Sequence, residues 1–298
     1  VGVAETVHLV FRTAHWPVPR KLLGLLPFKW GMLTRLVASM IPPYVRPTPV
    51  VRLLHTVGYP LPWLFWRIVE LLLRTQQKLG TQIANGKNLV PDQPIEYDAY
   101  TEVTMLPRPG FIGLIRNREI LAHRSGLKRF TNNDLILEDG DALPVDCVVF
   151  GTGWKTGFGF LPAEMRAALG DGTDGFYLHR HILHPNAPNL AFVGRASSFM
   201  SATTFALQAR WLAEVVSGNV ALPLTKDMQA EIDALRSWKQ SWMPDGPARS
   251  ATLLLHMAHY HDELLRDMSA DPLRKRGLLA PLKELLVPYQ ASDFREVV

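Results

Sequence analysis

The chain has 298 residues, 47% of them hydrophobic, which is enough for two ordinary domains or one large domain with a substantial core. Its single cysteine, Cys147, excludes an internal disulfide framework, a CxxC redox pair and a cysteine-rich zinc site, and it fits a reducing, cytosolic setting. The net charge of +5 and the pI near 9.4 suit a phosphate-bearing ligand or an anionic membrane surface. The sequence has no block of basic residues with interleaved aromatics, so nucleic-acid binding is not predicted.

The first predicted element is a strand over residues 3–12, where side chains alternate between two faces. Because the chain begins with Val1 and enters a strand pattern at once, we expect no signal peptide and a longer protein whose front is missing. Arg12 ends the strand and Thr13 follows it. In a dinucleotide-binding unit this position faces the adenosine ribose, and an arginine there accommodates the 2′-phosphate of NADP. An ordinary surface arginine is the alternative.

Helical periodicity is predicted from about residue 21 to 89, with interruptions at residues 42–43 and 60–62, where prolines occur in pairs. The aromatic-rich stretch 60–73 contains Arg67 and Glu70, so it stays short of the roughly 18 uncharged residues that a spanning helix needs. A buried helix and a helix lying in a membrane interface both fit this stretch.

A β-rich passage follows, and it ends in a glycine turn. A buried strand over residues 147–150 is predicted to run into Gly151-Thr152-Gly153, before Trp154. Glycines allow positive φ and close approach of another group, and the carboxyl end of a strand is where open α/β sheets hold nucleotide cofactors. An ordinary turn is the alternative. The preceding strands are predicted at residues 113–115, 119–122, 127–130 and 135–138, with a hairpin turn at 139–141.

A second glycine-terminated strand is predicted at residues 190–194, and the small, hydroxyl-rich segment 195–204 follows it. A helix over 201–217 comes next, and its free N–H groups favour a pyrophosphate or the carbonyls of a flavin. Simple capping by Ser201 or Thr203 explains only part of the hydroxyl cluster. Further elements are predicted as a strand at 177–183 and helices at 228–242 and 251–268.

The histidines fall into two groups, but neither has the spacing of a metal site such as HExxH, so no metal is predicted. No Gly-x-Ser-x-Gly elbow or Ser/His/Asp arrangement is evident, which argues against a hydrolase. The groups are His179, His181 and His184, and His256, His259 and His261.

Taken in order, these motifs resemble the C-terminal portion of the flavin-containing monooxygenases. The family usually has Ala-Thr-Gly-Tyr where this chain has Gly151-Thr152-Gly153-Trp154, and the resemblance is weak from about residue 21 to 95. The matching segments are 7–19 (VHLVFRTAHWPVP), 135–161 (LILEDGDALPVDCVVFGTGWKTGFGFL), 177–194 (YLHRHILHPNAPNLAFVG), 208–223 (QARWLAEVVSGNVALP) and 260–265 (YHDELL).

The resemblance implies an α/β flavoprotein with two dinucleotide-binding, Rossmann-like domains, incomplete at the N-terminus because neither glycine-rich phosphate loop occurs in the chain. Residues 1–146 would be the remainder of the NADPH-binding domain, with a helical insertion over about 21–95. Residues 147–298 would be the C-terminal part of the FAD-binding domain and its C-terminal helices.

The implied cofactors are FAD and NADPH, and no side chain of this half is expected to be catalytic, because the flavin performs the chemistry. Arg12 and Thr13 would hold the NADPH 2′-phosphate. The residues expected to border the flavin are Thr152, Gly153, Trp154, Gly194, Arg195, Ser197, Ser201, Thr203, Thr204 and Gln208.

The implied reaction is an NADPH- and O₂-dependent monooxygenation of a soft nucleophile, an amine nitrogen or a sulfide sulfur, through a C4a-hydroperoxyflavin. Its partners are a small-molecule substrate and O₂, in a cytoplasmic setting with peripheral membrane contact through about residues 60–73 left open. The alternatives are a Baeyer–Villiger monooxygenase acting on ketones, and a truncated, non-catalytic remnant or interaction module. The Gln-Ala-Arg-Trp sequence at 208–211 and the later Leu-Pro favour the amine and sulfide branch.

Overall fold

The computed structural model describes residues 2–100, 106–153, 157–170 and 173–298, and their contacts divide them into two units. The first unit comprises residues 2–25, 67–98 and 106–153, and the second comprises 26–66, 99–100, 157–170 and 173–298. This division differs from the predicted boundary at residue 146, because residues 26–66 cluster with the C-terminal part of the chain. Which unit would bind NADPH and which FAD stays a prediction.

Helices dominate the described part of the chain, and most strands are short. The helices are α1 Phe28–Met32, α2 Arg35–Ser39, α3 Pro49–Leu54, α4 Pro60–Gln77, α5 Ile95–Tyr100, α6 Phe111–Arg116, α7 Ala163–Leu169, α8 Ser201–Val216, α9 Thr225–Gln240, α10 Met257–Asp267 and α11 Ala280–Leu286, followed by a 3₁₀-helix at Ala291–Phe294. The strands are β1 His8–Phe11, β2 Lys21–Leu22, β3 Leu26–Pro27, β4 Leu121–Arg124, β5 Leu127–Phe130, β6 Asp134–Leu137, β7 Ala142–Pro144, β8 Ser197–Ser198 and β9 Thr252–Leu254.

A parallel pair of strands, β1 and β4, lies in the first unit, with Phe11 opposite Arg124 at its carboxyl end. Leu9 and Phe11 pack into one apolar cluster, around Ile120, while Val10 packs into another. Both faces of β1 are therefore covered, as is usual for parallel strands. The strand is shorter than the predicted range of 3–12.

An antiparallel meander of β5, β6 and β7 follows, in which β5, β6 and the turn after β6 agree with the sequence prediction, whereas β7 was not predicted. Leu135 and Leu137 alternate onto its buried face, and Gly140 has a φ of +97° in the turn between β6 and β7.

The strand predicted at residues 113–115 is wrong, since this segment belongs to α6. Ile112 and Ile115, three residues apart, are buried on one side of that helix.

The predicted buried strand at residues 147–150 is also wrong. Cys147 is exposed, and the side chains of Val149 and Phe150 are 89% and 64% exposed. An apolar run becomes a strand only where a neighbouring strand supplies hydrogen-bond partners, and no strand of the described residues pairs with this run.

The second unit has its core between α8 and α10. Leu207 and Trp211 of α8 pack with Tyr260 and Leu264 of α10, all of them buried. The helices predicted at 201–217 and 228–242 are confirmed as α8 and α9. The helix predicted over 251–268 begins later, because β9 pairs there in parallel with β8 before α10 starts.

The segments 177–183 and 190–194, predicted as strands, form turns instead. Arg180 and His181 have φ values of 51° and 55°, which fold the chain back so that His179 pairs with Leu183. Leu183 in turn makes a single bridge to Ala191. Two such isolated bridges bring the segments together without extending into a sheet.

Helix α4 begins at Pro60, so the prolines at 60 and 62 start a helix instead of interrupting one. Proline is tolerated in the first helical turn because its missing N–H would have no helical partner there. Among the described residues, no helix combines the length and apolar character needed to cross a membrane.

Candidate functional site

Arg12 and Thr13 are exposed directly after β1, at the carboxyl end of the parallel pair. The neighbouring Arg124, which ends β4, is occupied, since its guanidinium binds Asp92 and donates to the Val90 carbonyl at 3.2 Å. Arg12 makes no ion pair or side-chain hydrogen bond with the described residues. Its guanidinium is thus available to an anion at the carboxyl end of the strands, which is where nucleotides bind in α/β folds.

Thr152 and Gly153 are also exposed and belong to the first unit. Gly153 has a φ of +83°, and a Cβ added at Gly151 or Gly153 would meet nothing within 4 Å. The backbone at Gly151 and Gly153 is therefore unobstructed, and its contact with a cofactor stays a prediction. Trp154 lies outside the described residues.

The remaining predicted site residues belong to the second unit, where Gln208 links Gly194 to α10. The Gln208 side-chain oxygen accepts from the Gly194 N–H at 2.9 Å, and its amide donates to the Tyr260 hydroxyl at 2.8 Å. Tyr260 in turn donates to the Arg180 carbonyl at 2.6 Å. Gln208 is fully buried. Gln208 therefore supports the turn at Gly194 from the buried side. Gly194 has a φ of +92° in this turn.

A second buried chain of polar groups runs from β8 to α10. The Thr204 hydroxyl lies 2.7 Å from the Ser198 hydroxyl and 2.8 Å from Nε2 of His261. Burial, followed by the positive charge of Arg35, lowers the pKa of His261 to about 3. The imidazole is therefore neutral near pH 7 and keeps one ring nitrogen free to accept a hydrogen bond.

The N-terminus of α8 does not use the predicted caps. Ser201 donates its hydroxyl to the Ser198 carbonyl at 2.6 Å, and no side chain accepts from the first turn. Thr203 is buried. Ser197 contributes its backbone N–H to the Ala251 carbonyl at 2.9 Å, which aligns the loop with β9.

Arg195 points into the protein. Its guanidinium donates to the Phe176 carbonyl at 2.9 Å and to the Ser250 hydroxyl at 2.6 Å. It also stacks on the Phe176 ring, 4.1 Å from the ring centre. Gly175 is required beside it, because an added Cβ would lie 2.5 Å from the Ser250 hydroxyl.

Lys239 supports the same region and was missed by the sequence reasoning. Its buried ammonium donates to the carbonyls of Arg249, Ser250 and Thr252 at 3.0, 2.9 and 2.7 Å. The signal was present, since Lys239 continues the buried stripe of Ile232 and Leu235 on α9 at helical spacing. The sequence motif 260–265 contains Tyr260 and His261, but it gave no sign of the hydrogen bonds that these two side chains make.

The first histidine group, His179, His181 and His184, makes contacts within the second unit. His179 Nδ1 lies 2.9 Å from Glu231, His184 accepts from the Asn186 N–H at 3.1 Å, and His181 meets the Tyr260 ring edge-on. Burial lowers the pKa of all three of these histidines. Among the described residues, no group of three or more His, Cys, Asp or Glu side chains could hold a metal ion.

The fit of a flavin is uneven across the predicted residues. Thr204 and Gln208 are fully buried with their polar atoms already paired, so they support the loop. The cavity beside His261 measures about 10 Å³, at the lower limit for one water molecule. The groups that could reach a ligand are the open turn at 151–153, the half-buried loop at Gly194 and the half-buried Ser197 and Ser201. Direct contacts to FAD stay a prediction.

Comparisons with known proteins address the family. The chain is 26% identical over 309 residues to probable flavin-containing monooxygenase 1 of Arabidopsis thaliana, covering 96% of this chain and 53% of that protein. It is 32% identical over 154 residues to flavin-containing monooxygenase 3 of Canis lupus familiaris, covering 50% of this chain and 27% of that protein. The chain thus spans about half the length of the plant relative and about a quarter of the mammalian one.

Among solved structures, S-allyl-L-cysteine S-oxygenase from Allium sativum matches with a TM-score of 0.44 and 22% identity, covering 59% of this chain and 38% of that chain. The profile described as FMO-like, flavin-binding monooxygenase-like, matches residues 113–280, more than half of the chain. The resemblance read from the motifs and the α/β class are confirmed at the level of the family. The chain belongs to the flavin-binding monooxygenase-like family.

Proposed function

We propose that this chain serves an NADPH- and O₂-dependent flavoprotein monooxygenase that oxygenates a soft nucleophile, an amine nitrogen or a sulfide sulfur. The family match over residues 113–280 carries the proposal. The flavin, when bound, supplies the oxygen-transfer chemistry. The work of this chain is to bind the cofactors, to orient them and to keep water away.

The roles of the residues follow from their accessibility. Arg12 and Thr13, exposed at the edge of the parallel pair, are assigned to the 2′-phosphate of NADPH. The turn at 151–153 lets a cofactor approach the backbone, and the loop from Gly194 to Thr204 borders the flavin. Gln208 and His261 act beneath that loop, where they hold its backbone and hydroxyls in place.

The first experiment asks whether the 298-residue chain holds a flavin. The purified chain is scanned through the flavin absorption bands, with and without added FAD, and a protein-bound flavin spectrum after reconstitution would support the proposal. A colourless chain that never takes up FAD would favour the alternative of a non-catalytic remnant or interaction module.

The second experiment identifies the substrate branch. NADPH oxidation by the full-length protein containing this chain is followed with a tertiary amine, a thioether and a cyclic ketone. We expect the amine or the thioether to stimulate oxidation and to be recovered with one added oxygen atom. Stimulation by the ketone alone, with ester formation, would assign the chain to the Baeyer–Villiger type.

A membrane contact through α4 is a second proposal, on a separate observation. Leu61, Leu64, Ile68 and Leu71 recur at helical spacing and are 61%, 49%, 49% and 63% exposed. An amphipathic helix of this kind lies in the plane of a lipid interface. Co-sedimentation with anionic vesicles should be lost when Leu64 and Ile68 are both replaced by glutamate. Equal sedimentation of the wild type and this double variant would contradict the contact.

A further inference from the structure

We propose that a cleft in the first unit, whose rim carries Arg20, Lys21, Arg108 and Arg116, binds a small phosphate-bearing ligand. The cleft encloses about 450 Å³, within the usual range of small-molecule sites. It uses none of the residues assigned above to NADPH or FAD. Its lining comes from residues 19–21, 76–77, 107–110, 112–113 and 116.

The rim of the cleft is positively charged and therefore favours an anionic ligand. All four cationic side chains are exposed, and no acidic residue is among the described lining residues. None of the four makes an ion pair or a side-chain hydrogen bond with the described residues. Four like charges around one concave space repel one another and concentrate anions from solution.

Two arginines elsewhere in the chain, Arg35 and Arg180, differ from the four cations of the rim because each binds a carboxylate. Arg35 binds both carboxylate oxygens of Asp262 at 2.7 Å, and Arg180 binds those of Asp267 at 2.7 and 3.1 Å. Arg35 and Arg180 are thus each paired with a carboxylate, which the four cations of the rim are not within the part of the chain that the structure describes. The cleft therefore has a cation cluster that no internal ion pair explains.

The backbone that presents these cations is fixed in advance. Pro107 and Pro109 flank Arg108 and restrict its backbone. The amide of Gln76 donates to the Lys21 carbonyl at 2.9 Å and accepts from the Leu23 N–H at 2.8 Å. A prearranged rim lowers the conformational entropy that binding must offset.

The apolar lining defines the rest of the ligand. Pro19, Pro107, Pro109 and Ile112 present non-polar surface within the same cleft. Such a lining accommodates a ring or a hydrocarbon segment, while arginine and lysine engage the phosphate oxygens. A nucleoside diphosphate and the headgroup region of an anionic phospholipid share this chemistry.

ADP and inorganic pyrophosphate are the soluble probes, titrated by calorimetry into the 298-residue chain at low ionic strength. We expect binding at one site, weakened at least tenfold in the double variant R108E/R116E and weakened again by 0.2 M salt. The matched control is R129E, which reverses an exposed arginine on β5 of the same unit and outside the cleft. The control should change the affinity less than twofold.

Vesicles containing an anionic phospholipid form the lipid arm. Binding to vesicles alone, lost in R108E/R116E and kept in R129E, would assign the phosphate to a lipid headgroup and would support the cleft. Circular dichroism and thermal unfolding should match the wild type, because the substituted side chains make no ion pair or side-chain hydrogen bond with the described residues. No binding to any probe, or an equal loss in R129E or R12E, would overturn the proposal.

Discussion

The side-chain oxygen of Gln208 accepts a hydrogen bond from the backbone N–H of Gly194 at 2.9 Å, so a buried helix residue holds the glycine turn that precedes its helix. The amide of Gln208 continues to Tyr260, whose hydroxyl reaches the Arg180 carbonyl. The segments around Arg180, Gly194 and Tyr260 are thereby fixed to one another through the side chains of Gln208 and Tyr260.

Replacing Gln208 with leucine should lower the free energy of unfolding by about 2–3 kcal/mol. The substitution leaves the part-buried Gly194 N–H without its side-chain acceptor and removes the donor to the Tyr260 hydroxyl, and each such loss costs about 1–3 kcal/mol. Denaturant unfolding measures the change. The control, Arg210→Leu, alters a residue of the same helix that is 53% exposed, and it should stay within about 0.5 kcal/mol of the wild type. Equal effects of the two variants would contradict the role of Gln208.

Replacing Lys239 with methionine should destabilise the second unit by at least about 2 kcal/mol. The variant keeps a long side chain of similar volume but leaves the carbonyls of Arg249, Ser250 and Thr252 without their shared donor. Lys226→Met, an exposed position on the same helix, is the control. The two thermal unfolding curves distinguish the outcomes, and coincident curves would show that the ammonium contributes nothing to stability.

The stability of the chain should fall as the pH drops from about 6.5 towards 4. Burial lowers the pKa of His256 and of His261 to about 3, whereas an unfolded histidine titrates near 6.5. Between these values the unfolded state binds more protons, so acid favours unfolding by about 1.4 kcal/mol per pH unit for each residue. Above pH 6.5 their contribution is fully present.

The substitution His261→Gln keeps a polar group beside Thr204 and removes one titrating imidazole. Urea unfolding at several pH values between 4.5 and 7.5 should give a slope near pH 5 that is smaller than the wild-type slope by about 1.4 kcal/mol per pH unit. An unchanged slope would mean that the imidazole is protonated in the folded state.

Reversing the charge of Arg12 tests the proposed NADPH contact. In the full-length protein containing this chain, Arg12→Glu should raise the KM for NADPH at least about tenfold and leave the KM for NADH nearly unchanged, because only NADPH has the 2′-phosphate. Initial rates with each nucleotide provide the measurement. Arg129→Glu on β5 serves as the charge control. Similar increases for both nucleotides would remove the assigned role.

The local sequence pattern was sufficient to predict several secondary-structure elements. Helices α8 and α9 and the strands β5 and β6 follow the periods that the sequence predicted, because each element satisfies most of its hydrogen bonds within itself or with a close neighbour in sequence. The place of Arg12 after a strand was also evident from residue type and order.

Tertiary contacts decided the rest. The apolar runs at 147–150 and 190–194 have strand-like composition, yet a strand forms only where another backbone pairs with it, and that partner is not a local property. The roles of Gln208, His261 and Lys239 depend on groups brought together by folding: 52 residues separate Gln208 from Tyr260, and 57 separate Thr204 from His261. Sequence by itself determined the family and the cofactor class expected of it. Only the folded chain decided which polar residues lie open to a ligand and which are buried in support of the loop.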